Sequence, residues 1–341
     1  MVYRNRNMFY KIGMLINESG VRMVAWLIYF KENAIYNQQY IEFYRKEGNK
    51  FDIEVMLILV EELSFGVENN AWYLRYQGLE ISYPDFVICR AIYPLLSRHL
   101  EFMGMRVFNN SFVSEICNDK AKTYQYLAKI GIKMVDSSFY LHDQVKDVLQ
   151  QVKETSVVKA VAGHGGSQVF LVEPYNIEEN MNVNIEGNTE EKIEEKIVNR
   201  LVDKQVNNIQ LEKILQGLVN SDVVVQPLTG NRHQDLRVYV IGKEIIACVL
   251  RTAKQGFKSN FSLGGEVCLY DLSEEEHLVV NQIINQFDFG LVGIDFIIGD
   301  QGELIFNEIE DVVGSRMLYQ CAEINIVELY LKHILKNITQ I

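Results

Sequence analysis

Leu291-Val292-Gly293-Ile294-Asp295-Phe296-Ile297-Ile298, then Gly299-Asp300-Gln301-Gly302, then Glu303-Leu304-Ile305-Phe306-Asn307-Glu308-Ile309-Glu310 is the stretch on which the reading of this chain turns. Two apolar runs of strand length flank a turn rich in Gly and Asp, so local rules predict a β-hairpin. Asp295 sits inside the first run, where an ionised carboxylate is costly to bury without a cation or hydrogen-bond donors. A turn of two or four residues centred on Asp300 and Gln301 puts residue 293 opposite Glu308 and residue 291 opposite Glu310. The period of two then places Asp295, Glu308 and Glu310 on one face. Carboxylates so close repel, and a hard divalent cation with oxygen ligands is the usual compensation; magnesium in particular is held by a few carboxylates together with substrate phosphates. The competing interpretation, a solvent-facing acidic strand edge, is countered by the apolar neighbours of Asp295.

Outward from this hairpin, Ser273-Glu274-Glu275-Glu276 is a capping box that opens a helix to about residue 286, and a final helix is expected over 326–336. Further upstream the pattern is again of hairpins. Residues 236–241 pair with 244–250 across Gly242-Lys243, and 157–162 with 169–172 across Gly163-His164-Gly165-Gly166. Residues 118–130 read as a helix stopped by Gly131. The first 110 or so residues alternate instead: strands at 11–16, 53–60, 85–89 and 106–108, helices at 33–47 and 95–103. Such alternation implies a parallel sheet with helices on its faces. The fold class is therefore an α/β N-terminal domain with a parallel sheet, followed by an α+β half. Between the hairpins, residues 176–220 form an insertion whose early part is rich in Asn and Glu.

Composition narrows the function. The 341 residues are 48% hydrophobic and 23% charged, which is globular, and the net charge of -12 repels polyanions, so no nucleic-acid partner is expected. Five scattered cysteines without a C-x-x-C spacing argue against a disulfide framework or structural zinc and fit a reduced cytoplasm. The apolar runs 24–30 and 55–60 are far shorter than the ~20 residues that cross a bilayer, and no signal-peptide pattern is present. The expectation is a soluble, cytoplasmic protein with no membrane partner.

Lys159 precedes the Gly-rich loop, which matches neither the Walker A pattern nor the dinucleotide fingerprint. Its backbone amides are placed to contact phosphate, although such a hairpin tip is commonly just a turn. Asp235, Arg237, Arg251, Lys254, Lys258 and Asn260 lie on one hairpin and its exit, a pattern that by itself reads as a solvated face. The histidines outside the Gly-rich loop show no metal-ligand spacing.

Taken in order, Phe108-Asn109, Asn118-Asp119-Lys120, Val158-Lys159 with its loop, Val225-Gln226-Pro227-Leu228, Asp235-Leu236-Arg237, Arg251-Thr252-Ala253-Lys254, Lys258-Ser259-Asn260, Gly264-Gly265, Gly293-Ile294-Asp295 and Asn307-Glu308-Ile309-Glu310 resemble the ATP-grasp superfamily, most closely its RimK-type ligases. Those enzymes join an amino acid to a carboxylate through an acyl phosphate. The resemblance implies that the second half is an ATP-grasp fold, two α+β subdomains clasping ATP. The implied division is 1–112 and 113–341, with a lid at about 137–224 that contains the insertion. It implies ATP and magnesium, or manganese, as cofactors, with Lys120 and Lys159 on the ATP phosphates. Gln226, Pro227 and Leu228 would form the adenine hinge, Asp235 would lie near the ribose, and Lys258, Ser259 and Asn260 would reach the phosphates and metal. Asp295, Glu308 and Glu310 match the metal carboxylates. Arg251 is the candidate for stabilising the acyl phosphate and tetrahedral oxyanion, and Arg316 for holding the acceptor carboxylate in a bidentate fork, with a surface ion pair as the equal alternative for Arg316.

Some positions depart from the family pattern. Glu310 stands where the metal motif usually ends in Asn, Val313-Gly314 replaces Pro-Gly, Pro227 replaces an acidic hinge residue, and the lid insertion is long. The implied activity is an ATP-dependent carboxylate–amine ligase acting on a carboxylate and an amine, in a chain whose relatives are commonly homo-oligomers. Its competitors are an ATP-binding structural or regulatory protein without turnover, and a small-molecule kinase of the same fold.

Overall fold

The computed structural model describes residues 16–17, 20–163, 166, 168–174, 210–218, 220–230, 233–253 and 266–339. A short antiparallel ladder, β1 (Ile16–Asn17) with β2 (Gly20–Val21), leads into β3 (Met23–Tyr29), the strand that organises the first half. Its seven residues are a nearly unbroken apolar run because both faces are covered, and Trp26, Leu27 and Ile28 are fully buried. β3 lies between β4 (Ile53–Leu59) and β8 (Phe86–Cys89), with β9 (Val107–Phe108) beyond, all parallel. The parallel α/β sheet is thus as expected, but its central strand is not. Of the strand expected at 11–16, residues 11–15 lie outside those described, and the run at 24–30, weighed only as a membrane span, is the real core strand. Such a run carries no period and cannot be told from a buried helix segment by pattern.

The helix expected over 33–47 is two, α1 (Lys31–Tyr36) and α2 (Gln38–Asn49), hinged at Asn37. A further antiparallel sheet of β5 (Leu63–Glu68), β6 (Ala71–Tyr76) and β7 (Leu79–Glu80) was not anticipated. Its tight turn is Asn69-Asn70, both in the left-handed region. Leu74 and the partly buried Phe65 pack in one core with Leu96 and Leu100 of α3 (Pro94–Phe102).

After α4 (Ser111–Cys117) and α5 (Lys120–Ala128), a four-stranded sheet runs β10 (Ser138–Tyr140), β13 (Val223–Pro227), β11 (Ser156–Ala160), β12 (Val169–Val172), antiparallel throughout. It packs on α6 (Val145–Gln150) and α7 (210–218) through Val145, Leu149, Val158, Ile214 and Leu218. Of the insertion, α7 and residue 220 are described; 176–209 are not.

The last and largest sheet is β16 (Glu266–Leu269), β15 (Glu244–Thr252), β14 (Gln234–Ile241), β17 (Leu291–Ile298), β18 (Leu304–Glu310), also antiparallel. α8 (Glu274–Ile284) opens on the expected capping box: Ser273 Oγ accepts from the Glu276 amide at 3.2 Å, and Glu276 accepts from the Ser273 amide at 2.7 Å. α9 (Arg316–Cys321) and α10 (Ile326–Ile338) follow, and none of the described helices is long and apolar enough to cross a membrane.

The two halves close on each other. Val327, Tyr330, Leu331 and Ile334 of α10 share a core with Ala25, Leu27 and Tyr29 of β3. Asn109, just after β9, is buried at the seam. Its amide nitrogen donates to Leu291 O (2.9 Å), Asp311 O (3.1 Å) and Asp311 Oδ1 (2.6 Å), while its oxygen accepts from the Gly290 N–H (2.5 Å). Asn109→Leu leaves these groups unmatched in the interior. The expected loss is about 1–3 kcal/mol, seen as a lower urea midpoint with an unchanged slope.

Candidate active site

β17 and β18 pair, but not in the expected register. Ile298 faces Leu304, so the turn is the five residues 299–303, with Gly302 at φ 90°. Continued regularly, that register would bring Glu308 opposite Ile294 and point it, with Glu310, into the core, because a one-residue slip reverses every side chain. A β-bulge at Asn307 intervenes. Phe296 faces Phe306, then Asp295 faces Glu308 and Gly293 faces Glu310. The expected pairing of 293 with Glu308 and 291 with Glu310 is therefore corrected. Turn and bulge each shift the strand by one, and together they return Asp295, Glu308 and Glu310 to one face. Oxygens from all three lie within 4.8 Å of one another.

Arg237 of β14 lies directly across from Asp295, and Arg251 of β15 directly across from Asp235. Arg237 donates Nε (2.8 Å) and Nη2 (2.6 Å) to the two oxygens of Asp295, and its Nη2 is also 2.8 Å from Glu310. Arg251 adds Nη2 to Asp295 at 2.8 Å and Nε to Asp235. Far from a solvated face, Arg237 and Arg251 are 5% and 3% exposed. The alternation along this hairpin is a true β period, but apart from Asp235, across from Arg251, the counter-charges stand on β17 and β18, invisible to a local reading. Burial disfavours the Asp295 carboxylate, yet the two guanidinium groups hold it down at about 2. Glu310 goes the other way: burial, with Asp295 and Glu308 close by, outweighs Arg237 and raises it. Burial likewise lifts Asp235 to about 6 against the pull of Arg251. Gly293, opposite Glu310, keeps the space clear; a Cβ there would sit 2.7 Å from Val313 Cγ2 and 3.4 Å from Arg237 Cδ.

Two lysines face the carboxylates from the other side. Asp119 caps α5 by accepting from the Lys122 amide at 2.9 Å, which makes Lys120 the first helical residue, and the Lys120 amide donates to Val161 O at 3.1 Å. Its Nζ donates to Gly163 O (2.5 Å) and lies 3.1 Å from Glu308. Lys159, on the fully buried β11, donates Nζ to Asn307 Oδ1 at 2.8 Å. Burial lowers this amine to about 8 despite the pull of Glu308, and Lys120 adds to the depression. Burial also opposes ionisation of Glu308, but the charges of Lys120 and Lys159 hold it below the usual carboxylate range. The Asn307 carbonyl accepts from Tyr124 OH at 2.7 Å, so both its side chain and its backbone are tied to the cleft.

Lys120, Lys159, Asp235, Arg251, Asp295, Glu308 and Glu310 thus share one network of charges. Gln226, Pro227 and Leu228 close the far end of β13: Gln226 Nε2 donates to Ser137 Oγ (2.8 Å) and the Leu228 amide to Thr155 O (2.9 Å). Lys258, Ser259 and Asn260 lie outside the described residues, as do His164 and Gly165 of the Gly-rich loop. Arg316 stands apart on α9, stacked over the Tyr36 ring at 4.8 Å with Nη1 donating to its hydroxyl at 2.9 Å. Sequence reasoning gave no role to Arg237, Asn307 or Tyr124. Arg237 was within reach, since it shares a strand face with Asp235 two residues earlier; Asn307 was not, because nothing local announces a bulge. Three convergent carboxylates are a donor set of hard oxygens, suited to a divalent cation such as magnesium, and the two lysines beside them suit phosphate oxygens.

The architecture defines the class. A RimK domain ATP-grasp protein from Sphaerobacter thermophilus aligns with TM-score 0.59 at 12% identity, covering 91% of this chain and 99% of the other. A RiPP-associated ATP-grasp ligase from Chryseobacterium gregarium, solved with ADP and a leader and core peptide, aligns with TM-score 0.58 at 15% identity, over 92% and 97%. These likenesses establish the ATP-grasp fold. The sequence profile of the RimK-like ATP-grasp domain matches residues 117–334, and the chain belongs to that family of ATP-dependent carboxylate–amine ligases. A probable alpha-L-glutamate ligase from Vibrio vulnificus is 25% identical over 302 residues, 86% of this chain and 90% of that protein.

Proposed function

We propose that the chain uses ATP and magnesium to convert a carboxylate into its acyl phosphate and then joins the acyl group to the amine of an amino acid. The observation that carries this reading is the facing of Asp295, Glu308 and Glu310 by Lys120 and Lys159 across one cleft. In this reading the carboxylates hold magnesium, whose charge offsets that of the transferred phosphoryl group when bound. Lys120 and Lys159 hold the phosphates in line, and Lys258, Ser259 and Asn260 complete that grip. Arg237 keeps Asp295 ionised and aimed; Arg251 does the same, and its charge favours the acyl phosphate and the oxyanion that follows. Gln226, Pro227 and Leu228 line the adenine and Asp235 the ribose side. Little covalent work falls to the protein, so positioning and charge account for catalysis.

The test is release of ADP and phosphate from ATP and magnesium across a panel of carboxylates and amino acids, glutamate first because of the Vibrio relative. Turnover that needs both an acid and an amine supports the ligase. A stable phosphorylated acceptor with no amine required replaces it with a kinase, and nucleotide binding without turnover on any pair replaces it with a binding protein.

The buried Lys159 adds a pH signature. Phosphate favours the charged amine, so ADP affinity is full below about pH 7 and weakens as pH rises through about 8. Calorimetric titration from about pH 6.5 to 9.5 reads this, and Lys159→Arg, whose guanidinium does not titrate in that range, flattens the profile.

A further inference from the structure

Arg90 follows β8, and Tyr29 ends the adjacent β3, so both stand at the carboxyl ends of neighbouring parallel strands, where open α/β sheets receive ligands. Arg90 is 8% exposed. Its backbone N–H donates to Ile28 O at 2.9 Å; its side chain donates Nη2 to Val313 O at 3.0 Å and interacts with the Tyr29 hydroxyl, and its buried Nε has no partner among the described residues. The guanidinium carbon lies 5.1 Å from the centre of the Tyr40 ring and 5.9 Å from that of Tyr29. The Tyr44 hydroxyl is buried without a partner among the described residues, and that of Tyr29 is buried against the Arg90 guanidinium.

Three other buried cations of the cleft differ: Arg237, Arg251 and Lys120 each touch a carboxylate, and Lys159, bonded to Asn307, feels the charge of Glu308. No carboxylate among the described residues pairs with Arg90; Asp311, which feels its charge, gives its oxygens to Asn109 and Asn118. A guanidinium withdrawn from water without a counter-charge is costly, and its planar fork fits a carboxylate in two parallel bonds. The site adjoins the metal hairpin. Val313 stands three residues beyond Glu310, and its Cγ2 lies against Gly293. Tyr40 OH is 3.0 Å from Ser315 Oγ and Tyr239 OH donates to Gly314 O at 2.9 Å, so the loop carrying Val313 is held between the N-terminal sheet and β14.

We propose that Arg90, collared by Tyr29, Tyr40 and Tyr44, receives the carboxylate of the amine substrate, which is therefore a free amino acid and not a simple amine or an amide. The proposal rests on the ligase reading and moves carboxylate recognition from Arg316, which is exposed and stacked on Tyr36, to a buried cation beside the cleft. The aromatic rings fix the guanidinium plane, and the tyrosine hydroxyls supply donors to the carboxylate edge.

The experiment uses the full chain with ADP and magnesium, and titrates L-glutamate, L-aspartate and L-alanine, their α-amides and inorganic phosphate by calorimetry and thermal melting. One or more of the amino acids binds the wild type and raises its melting temperature; the matching amide does not, and any binding of phosphate, which has the two lysines to receive it, is the same in Arg90→Met. Binding of the amide as tight as that of the amino acid overturns the assignment. Arg90→Met weakens that binding at least tenfold with ADP affinity unchanged, and Arg90→Lys restores only part of it. Without ligand, Arg90→Met melts no lower than the wild type, because an uncompensated charge has been removed. Binding retained in Arg90→Met, binding lost in Arg316→Met instead, no binding of any amino acid in the panel, or a clearly lower unliganded melting temperature overturns the assignment. Amino-acid binding through Arg90 without ADP release on any acid would instead remove the ligase reading and leave the anion site standing.

Discussion

Glu308→Gln lowers turnover by about a thousand-fold or more, equivalent to about 4 kcal/mol of transition-state stabilisation. Glu308 is the carboxylate at the centre of the cleft, opposite Asp295 across the hairpin and 3.1 Å from Lys120 Nζ. The amide keeps the shape and one accepting oxygen but brings no charge, so it binds a divalent cation poorly and leaves Lys120 without its anion. Folding changes little by comparison, since a loss of attraction to Lys120 is set against relief of repulsion from Asp295 and Glu310. ADP release at saturating magnesium, with melting curves as control, separates the two effects. A variant keeping more than about a tenth of wild-type turnover would remove Glu308 from the proposed metal site.

Arg237→Met has its largest effect on the fold. The guanidinium is the shared partner of Asp295 and Glu310, both interior to the cleft. Its removal strands charge in a place of low polarity, and breaking a buried pair from one side costs about 3–5 kcal/mol. Urea denaturation measures this. The double variant Arg237→Met/Asp295→Asn recovers much of the loss, which a purely steric role for Arg237 does not predict. The pH dependence carries the same sign. Asp295, held at about 2, contributes stability that is present above its ordinary value and lost as pH falls toward the depressed one. Without Arg237 that loss begins at higher pH, so acid unfolding of Arg237→Met starts earlier than in the wild type.

What could be read from the chain in advance follows from how local each signal is. The capping box at Ser273 and the turn at Gly242-Lys243 are contained in a few residues, and both stand where expected. β3 carries too much apolar character to show a period, so the central strand of the first sheet went unrecognised. Asn69-Asn70 was a legible turn that went unread. At the site, residue types and strand face pointed to Asp295, Glu308 and Glu310. The pairing of Arg237 with Asp295 is a contact between strands some sixty positions apart, which only the assembled sheet displays. Arg90 was hidden for a related reason: its meaning lies in a missing counter-ion, and a sequence does not record what is missing nearby.

The five-residue turn and the extra residue at Asn307 form a matched pair of offsets, and either alone would rotate two acidic side chains by half a revolution. Single-residue gain or loss in 299–303 is therefore expected to be purged from this lineage unless Asn307 is lost or doubled in the same step. Sequence comparisons that place a lone gap in the loop will equate Glu308 and Glu310 with inward-facing positions of other proteins. Two compensating gaps, one on each side of Leu304-Ile305-Phe306, are the evolutionary signature to look for.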